Sequence, residues 1–115
     1  MAKRERLICT SDALADRGPG VRFEVHRAGA LLPAFIIRFR GVVHGYVNEC
    51  QHQATELDWN PGEFFDEERL YLVCATHGAR YDPSNGVCVD GPCAGARLGV
   101  VSVRERDGAI YCLEE

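Results

Sequence analysis

Two pairs of metal-ligating residue types, Cys50-Gln51-His52 and Cys74-Ala75-Thr76-His77, stand twenty-one residues apart in a chain of 115. Each pair offers one thiolate and one imidazole from a short segment. Any fold that puts both to use must bring two distant loops to one place. Each pair follows a stretch that reads as a strand, 42–47 and 70–73, and twenty-one residues suffice for an out-and-back pair of strands. The two loops can then sit side by side at one end of a sheet.

The rest of the chain agrees with a β structure. Residues 7–9 open it, and Ser11 ahead of Asp-Ala-Leu-Ala can cap a single helical turn. Gly18-Pro19-Gly20 reads as a turn. Residues 21–25 alternate apolar and polar, the period of a half-buried strand. Strands are also expected over 34–39 and 42–47, hinged at Gly41, and a turn over 82–86. Residues 100–106 and 109–113 flank Asp107-Gly108, a pair suited to the positive φ angles of a type I′ hairpin turn. No stretch holds a helical apolar stripe for three turns. The expectation is an all-β, antiparallel sandwich or small barrel.

Size and composition narrow the function. A chain of 12.7 kDa is one small domain, with 46% apolar and 26% charged residues, so it is globular. A net charge of −4 argues against nucleic acid as the main partner. No apolar run approaches the ~20 residues of a membrane helix, and the start carries no secretory pattern. The expected compartment is the cytoplasm, where the six cysteines (Cys9, Cys50, Cys74, Cys88, Cys93 and Cys112) serve metal or redox chemistry more often than crosslinking. Cys9 and Cys112 fall in expected strands and read as core residues. Cys88 and Cys93 flank Asp90-Gly91-Pro92 and read as reduced thiols, with a disulfide as the alternative. His26 and His44 lie in strands and receive no role.

Two Cys and two His can bind one structural zinc, or a [2Fe-2S] cluster with thiolates on one iron and imidazoles on the other. Zinc sites favour two to four residues between paired ligands, and the first pair here has only one. At this point the chain resembles the Rieske [2Fe-2S] family, as a small standalone ferredoxin. The resemblance rests on Val47-Asn-Glu-Cys50-Gln-His52 and Val73-Cys74-Ala-Thr-His77-Gly78-Ala-Arg-Tyr81-Asp82, with Gly91-Pro92 as the family's third, proline-containing loop. It implies a Rieske-type antiparallel β sandwich, with a base of residues 1–45 and 96–115 and an inserted cluster-binding part, 46–95. It implies one [2Fe-2S] cluster per chain, with Cys50 and Cys74 on the inner iron and His52 and His77 on the outer. It implies a one-electron carrier, not an enzyme, working between a reductase donor and an oxygenase-type acceptor.

Departures from the family pattern also carry information. Thr55 and Thr76 stand where respiratory-chain relatives carry a disulfide between the loops. Ala79 replaces a serine that donates to the cluster, whereas Tyr81 keeps the second hydroxyl donor. The chain is longer than small relatives over 60–66, and Ala75 replaces a common proline. Other readings of the same residues are a small or regulatory subunit, or redox sensor, of a larger oxidoreductase complex. The oxygenase itself would need a second iron site, for which only His26 and His44 remain. Between Arg40 and Arg69 there is no Lys or Arg but seven acids: Glu49, Glu56, Asp58, Glu63, Asp66, Glu67 and Glu68. This window reads as solvated surface or as a docking face for a basic partner.

Overall fold

The structure is a computed structural model that describes residues 4–50, 55–58, 60–75, 78–91 and 95–114. Three antiparallel sheets account for its strands. The first has the order β1 (Arg4–Thr10), β10 (Ala109–Glu114), β9 (Val103–Arg106). The second has the order β2 (Val21–Arg27), β3 (Ala30–Phe39), β4 (Val42–Val47), β8 (Val100–Val101). The third joins β5 (Leu72–Val73), β6 (Arg80–Tyr81) and β7 (Cys88–Asp90). Among the described residues no helix is long and apolar enough to cross a membrane.

Local sequence explains the hairpins. Asp107-Gly108 turns with both φ angles positive (50° and 76°), as its residue types favour. Ala28-Gly29 (51°, 77°) and Arg40-Gly41 (53°, 80°) make the same paired turn. In both, a residue with a Cβ takes the left-handed position, at a cost of order 1 kcal/mol that the long flanking registers offset. The Ala28-Gly29 turn was not visible in the sequence because alanine does not advertise that conformation.

The strand boundaries differ from the sequence reading in three instructive places. β3 begins at Ala30 rather than after Pro33: Pro33 pairs with Glu24 of β2, and on its other side, where the β4 register ends at Ala34, it needs no N–H because it only accepts from Asn48. The strand expected over 70–73 is only Leu72–Val73, because the Asp66 carboxylate takes the amides of Leu70 (3.1 Å) and Tyr71 (3.4 Å) into a turn. The stretch 100–106 is split at Ser102: β8 pairs with β4, and β9 pairs with β10. The chain changes sheets there, as at the corner of a sandwich. The single helical turn, Ser11–Ala13, is a 3-10 turn whose N-cap is Thr10, not Ser11.

The first two sheets face each other. Val25, Ala34, Val47, Val101 and Cys112 form one buried contact between them, and Leu14, Ile36 and Ile110 another. The opposite face of β3 and β4 covers the third sheet. Phe35, Ile37, Phe39 and Tyr46 pack with Leu57, Phe64, Leu72, Tyr81 and Leu98, and the Phe35 and Phe64 rings stack at 3.9 Å. The third sheet therefore shares its core with the sandwich.

Candidate metal centre

Two loops with the same closure present the motif cysteines. Beyond β4, Asn48 donates its backbone N–H to Pro33 (2.8 Å), and the chain turns sharply through Glu49. Cys50 then donates its N–H to the carbonyl of Thr55 (2.8 Å). Beyond β5, Cys74 donates its N–H to the carbonyl of Ala79 (2.9 Å), and Gly78 donates back to Cys74 (2.8 Å). Each cysteine thus closes its loop through the carbonyl five residues on. The loops come from different sheets, not from one end of one sheet as the strand pattern suggested. They are joined by the N–H of Ala75, which donates to the carbonyl of Leu57 (3.0 Å).

Both sulfur-bearing residues are buried, Cys50 at 2% exposure and Cys74 at 0%, among Leu57, Phe64, Leu72, Ala79 and Leu98. Thiolate charge in such surroundings needs a cation or hydrogen-bond donors beside it. The Tyr81 hydroxyl lies 3.5 Å from Cys50 Sγ, within reach to donate to a thiolate there. Tyr81 is itself fully buried and is held in β6 opposite Leu72. Ala79 stands in this core with no hydroxyl to offer. His52, Thr76, His77, Pro92 and Cys93 lie outside the described residues.

A third loop leaves the same core. Cys88, in register with Tyr81, donates its N–H to Ala96 (2.7 Å) and accepts from Gly95 (2.9 Å), so residues 88–96 close on themselves. The Cys88 thiol is buried and donates to the carbonyl of Asp90 (3.4 Å). Gly91, at φ 101°, passes so close to Ala79 that a Cβ would meet its Cα at 2.9 Å. Gly91 therefore packs directly on Ala79, and only glycine permits the approach.

The acidic window is not one face. Asp58 is buried and accepts from Asn48 Nδ2 (2.9 Å) and the Gly62 N–H (2.9 Å). Glu56 pairs with Arg22, and Asp66 holds its turn. Glu67 and Glu68 are exposed in the turn that precedes β5, at the end of that strand away from Cys74. What reads as a charge run is partly internal scaffolding. Sequence reasoning passed over Asn48, whose only signal was its place two residues before Cys50.

The remaining singled-out residues lie away from this centre. His26 is exposed beside Glu114 (3.6 Å). His44 is half-buried against the Tyr46 ring, and burial holds its pKa below the usual imidazole value. Burial raises the Cys9 and Cys112 thiols, which pack in the sandwich.

An antiparallel sandwich with a small third sheet, and two cysteine-closed loops meeting over one buried core, define a β module built to hold a metal centre. The chain belongs to the Rieske [2Fe-2S] domain family, whose family model matches residues 6–113. The cofactor of this family is a [2Fe-2S] cluster. The two buried sulfurs and the Tyr81 hydroxyl fit the thiolate side of such a group.

Among solved structures the chain is similar to the ferredoxin of carbazole 1,9a-dioxygenase from Nocardioides aromaticivorans IC177, with 23% identity, a TM-score of 0.71, and coverage of 96% of this chain and 98% of that one. It is also similar to a Sphingomonas yanoikuyae B1 ferredoxin, with 20% identity, a TM-score of 0.72, and coverage of 97% and 99%. The terminal oxygenase from the same Nocardioides strain matches at 20% identity and a TM-score of 0.73, over 97% of this chain but only 30% of that one. No curated protein matches the sequence.

Proposed function

We propose that this chain is the ferredoxin component of a multicomponent oxygenase system, carrying single electrons from a reductase to an oxygenase-type acceptor. The observation that carries the reading is the pair of buried sulfurs on two loops of like closure, tied together by the Ala75–Leu57 bond. Cys50 and Cys74 would hold the inner iron, and His52 and His77 the outer one. The bound cluster supplies a one-electron couple whose imidazole ligands raise its potential above that of four-thiolate clusters. Tyr81 would donate its hydroxyl proton to the Cys50 sulfur, which favours the reduced state. Pro92 would cover the site from the third loop. The division into a base (1–45, 96–115) and a cluster-binding part (46–95) is read in the same way.

The partner class is supported by relatives of known context. A complex of reduced oxygenase and oxidised ferredoxin in carbazole 1,9a-dioxygenase matches the chain over 96% of its length at 22% identity. A cytoplasmic site of action is supported by the number of cysteines, which a reducing compartment keeps available to metal.

Metal and sulfide analysis of the purified chain tests the ligand reading: about two irons and two labile sulfides per chain are expected, and one zinc would overturn it. Stopped-flow mixing tests the carrier reading. A flavin reductase should reduce the chain, and an oxygenase terminal component should reoxidise it. Failure to exchange electrons with oxygenase components would leave the cluster in place and remove the proposed pathway.

A further inference from the structure

Asn48 and Asp58 are buried nearly as deeply as the aliphatic core, at 1% and 7% exposure. Burying an amide and a carboxylate is unfavourable unless their polar atoms find partners. Here each does. Asn48 Nδ2 donates to Asp58 Oδ1 (2.9 Å), and Asn48 Oδ1 accepts the N–H of Leu57 (2.8 Å). Asp58 Oδ2 accepts the N–H of Gly62 (2.9 Å) and lies 3.5 Å from Arg22 Nε on β2. Asn48 is anchored in turn by its own N–H on Pro33.

Leu57 gives this pair its consequence. Its N–H is held by Asn48, and its carbonyl takes the N–H of Ala75, the residue after Cys74. A continuous path therefore runs from the end of β4 through Asn48 and Leu57 to the loop that bears Cys74. Asp58, next in the chain to Leu57, holds the Asn48 amide in the orientation that presents Oδ1 to Leu57. Cys50 lies two residues beyond Asn48, in the stretch of chain that the Asn48–Leu57 bond closes.

We propose that the Asn48–Asp58 pair is a positioning device that sets the separation of the two cysteine-bearing loops through the backbone of Leu57. The proposal rests on the reading of Cys50 and Cys74 as cluster ligands. If the pair acts in this way, its disturbance spreads the loops and loosens the cluster, beyond any general loss of stability.

The test compares N48D, D58N and the swapped N48D/D58N chain with the wild type and with C112A, which opens a small gap in the sandwich core away from both loops. Cluster loss to an iron chelator is followed by visible absorbance, and the reduced cluster by electron paramagnetic resonance. N48D sets two carboxylates against each other and should lose its cluster about ten-fold faster than C112A at a temperature equally far below each thermal midpoint. Its resonance signal should also broaden or shift. D58N keeps the shape but sets two amide groups against each other, and should fall between; it decides the matter if N48D does not fold. The swap restores a carboxylate–amide pair with reversed donors, and should bring the loss rate back to within about two-fold of wild type. Loss rates no faster than that of C112A, or no recovery in the swap, would overturn the positioning role. A wild-type chain without any visible cluster would instead overturn the ligand reading on which it rests.

Discussion

The sandwich and the third sheet are held together by different means. In the sandwich, β2 and β3 match over seven residue pairs and β3 and β4 over six, and tight turns with paired positive φ close the hairpins. Its surface is laced by ion pairs such as Arg38–Glu105 and Arg6–Glu114. The third sheet has strands of two and three residues. Strands that short gain too few ladder bonds and side-chain pairs to stand alone. Their support comes from loop closures at Cys50, Cys74 and Cys88, and from the apolar face of β3 and β4. One region is built by its own pattern, and the other is assembled around a centre.

The largest expected effect tests whether that centre holds the small sheet. Cys74→Ser should leave less than about a tenth of the wild-type cluster content. In hydrogen exchange, the amides of 80–81 and 88–90 should then lose protection, while those of β2, β3, β4 and β10 keep theirs. Loss of protection in both regions together would break the comparison, and would mean that the shared core makes one cooperative unit.

A smaller effect sharpens the role of the centre's surroundings. Tyr81→Phe removes the hydroxyl beside Cys50 Sγ and leaves the ring in its place. The reduction potential should fall by ~30 to ~60 mV, the equivalent of one hydrogen bond worth about 1 kcal/mol in a one-electron couple. The thermal midpoint should move little. Protein-film voltammetry measures the first and calorimetry the second. An unchanged potential would place the Tyr81 hydroxyl outside the electronic environment of the sulfur.

The smallest effect belongs to the sandwich. Arg38 grips Glu105 through two hydrogen bonds, of 2.9 and 2.6 Å, and holds its carboxyl down at about 2 from an ordinary 4.5. A carboxyl lowered by folding stabilises the fold above its ordinary value, and this contribution is lost as pH falls from 4.5 through about 2. With Glu105 partly exposed the contribution should be about 1 kcal/mol or less. Thermal melts between pH 5 and pH 2 should show a shallower acid limb for Glu105→Gln than for the wild type, with the cluster signal unaffected above pH 5. An identical limb would show that the pair contributes nothing to stability.

Much of the molecule was legible from the chain alone, for identifiable reasons. Strand β2 and the Asp107-Gly108 hairpin are local: alternation and turn chemistry act between residues a few positions apart. The candidate ligand set was legible because Cys-x-His and Cys-x-x-His are rare and chemically specific. The same motifs carried the resemblance to the family, whose model matches residues 6–113. The third sheet was not legible, since β6 and β7 owe their existence to partners in the fold rather than to any pattern over two or three residues. Nor was the split at Ser102, because a run of strand-forming residues looks the same whether it stays in one sheet or passes between two.

The acids show the boundary most clearly. Asp58 and Glu68 are indistinguishable members of one charge run in the sequence. Folding buries one against Asn48, Gly62 and Arg22, and leaves the other exposed at the tip of a turn. Residue chemistry and short-range spacing determined which groups can bind metal and where the Asp107-Gly108 hairpin turns. Tertiary structure alone decided which loops meet, which polar groups become scaffold and which carbonyl joins the two cysteine loops. Those outcomes depend on contacts between residues far apart in the chain, and no local property of the sequence encodes them.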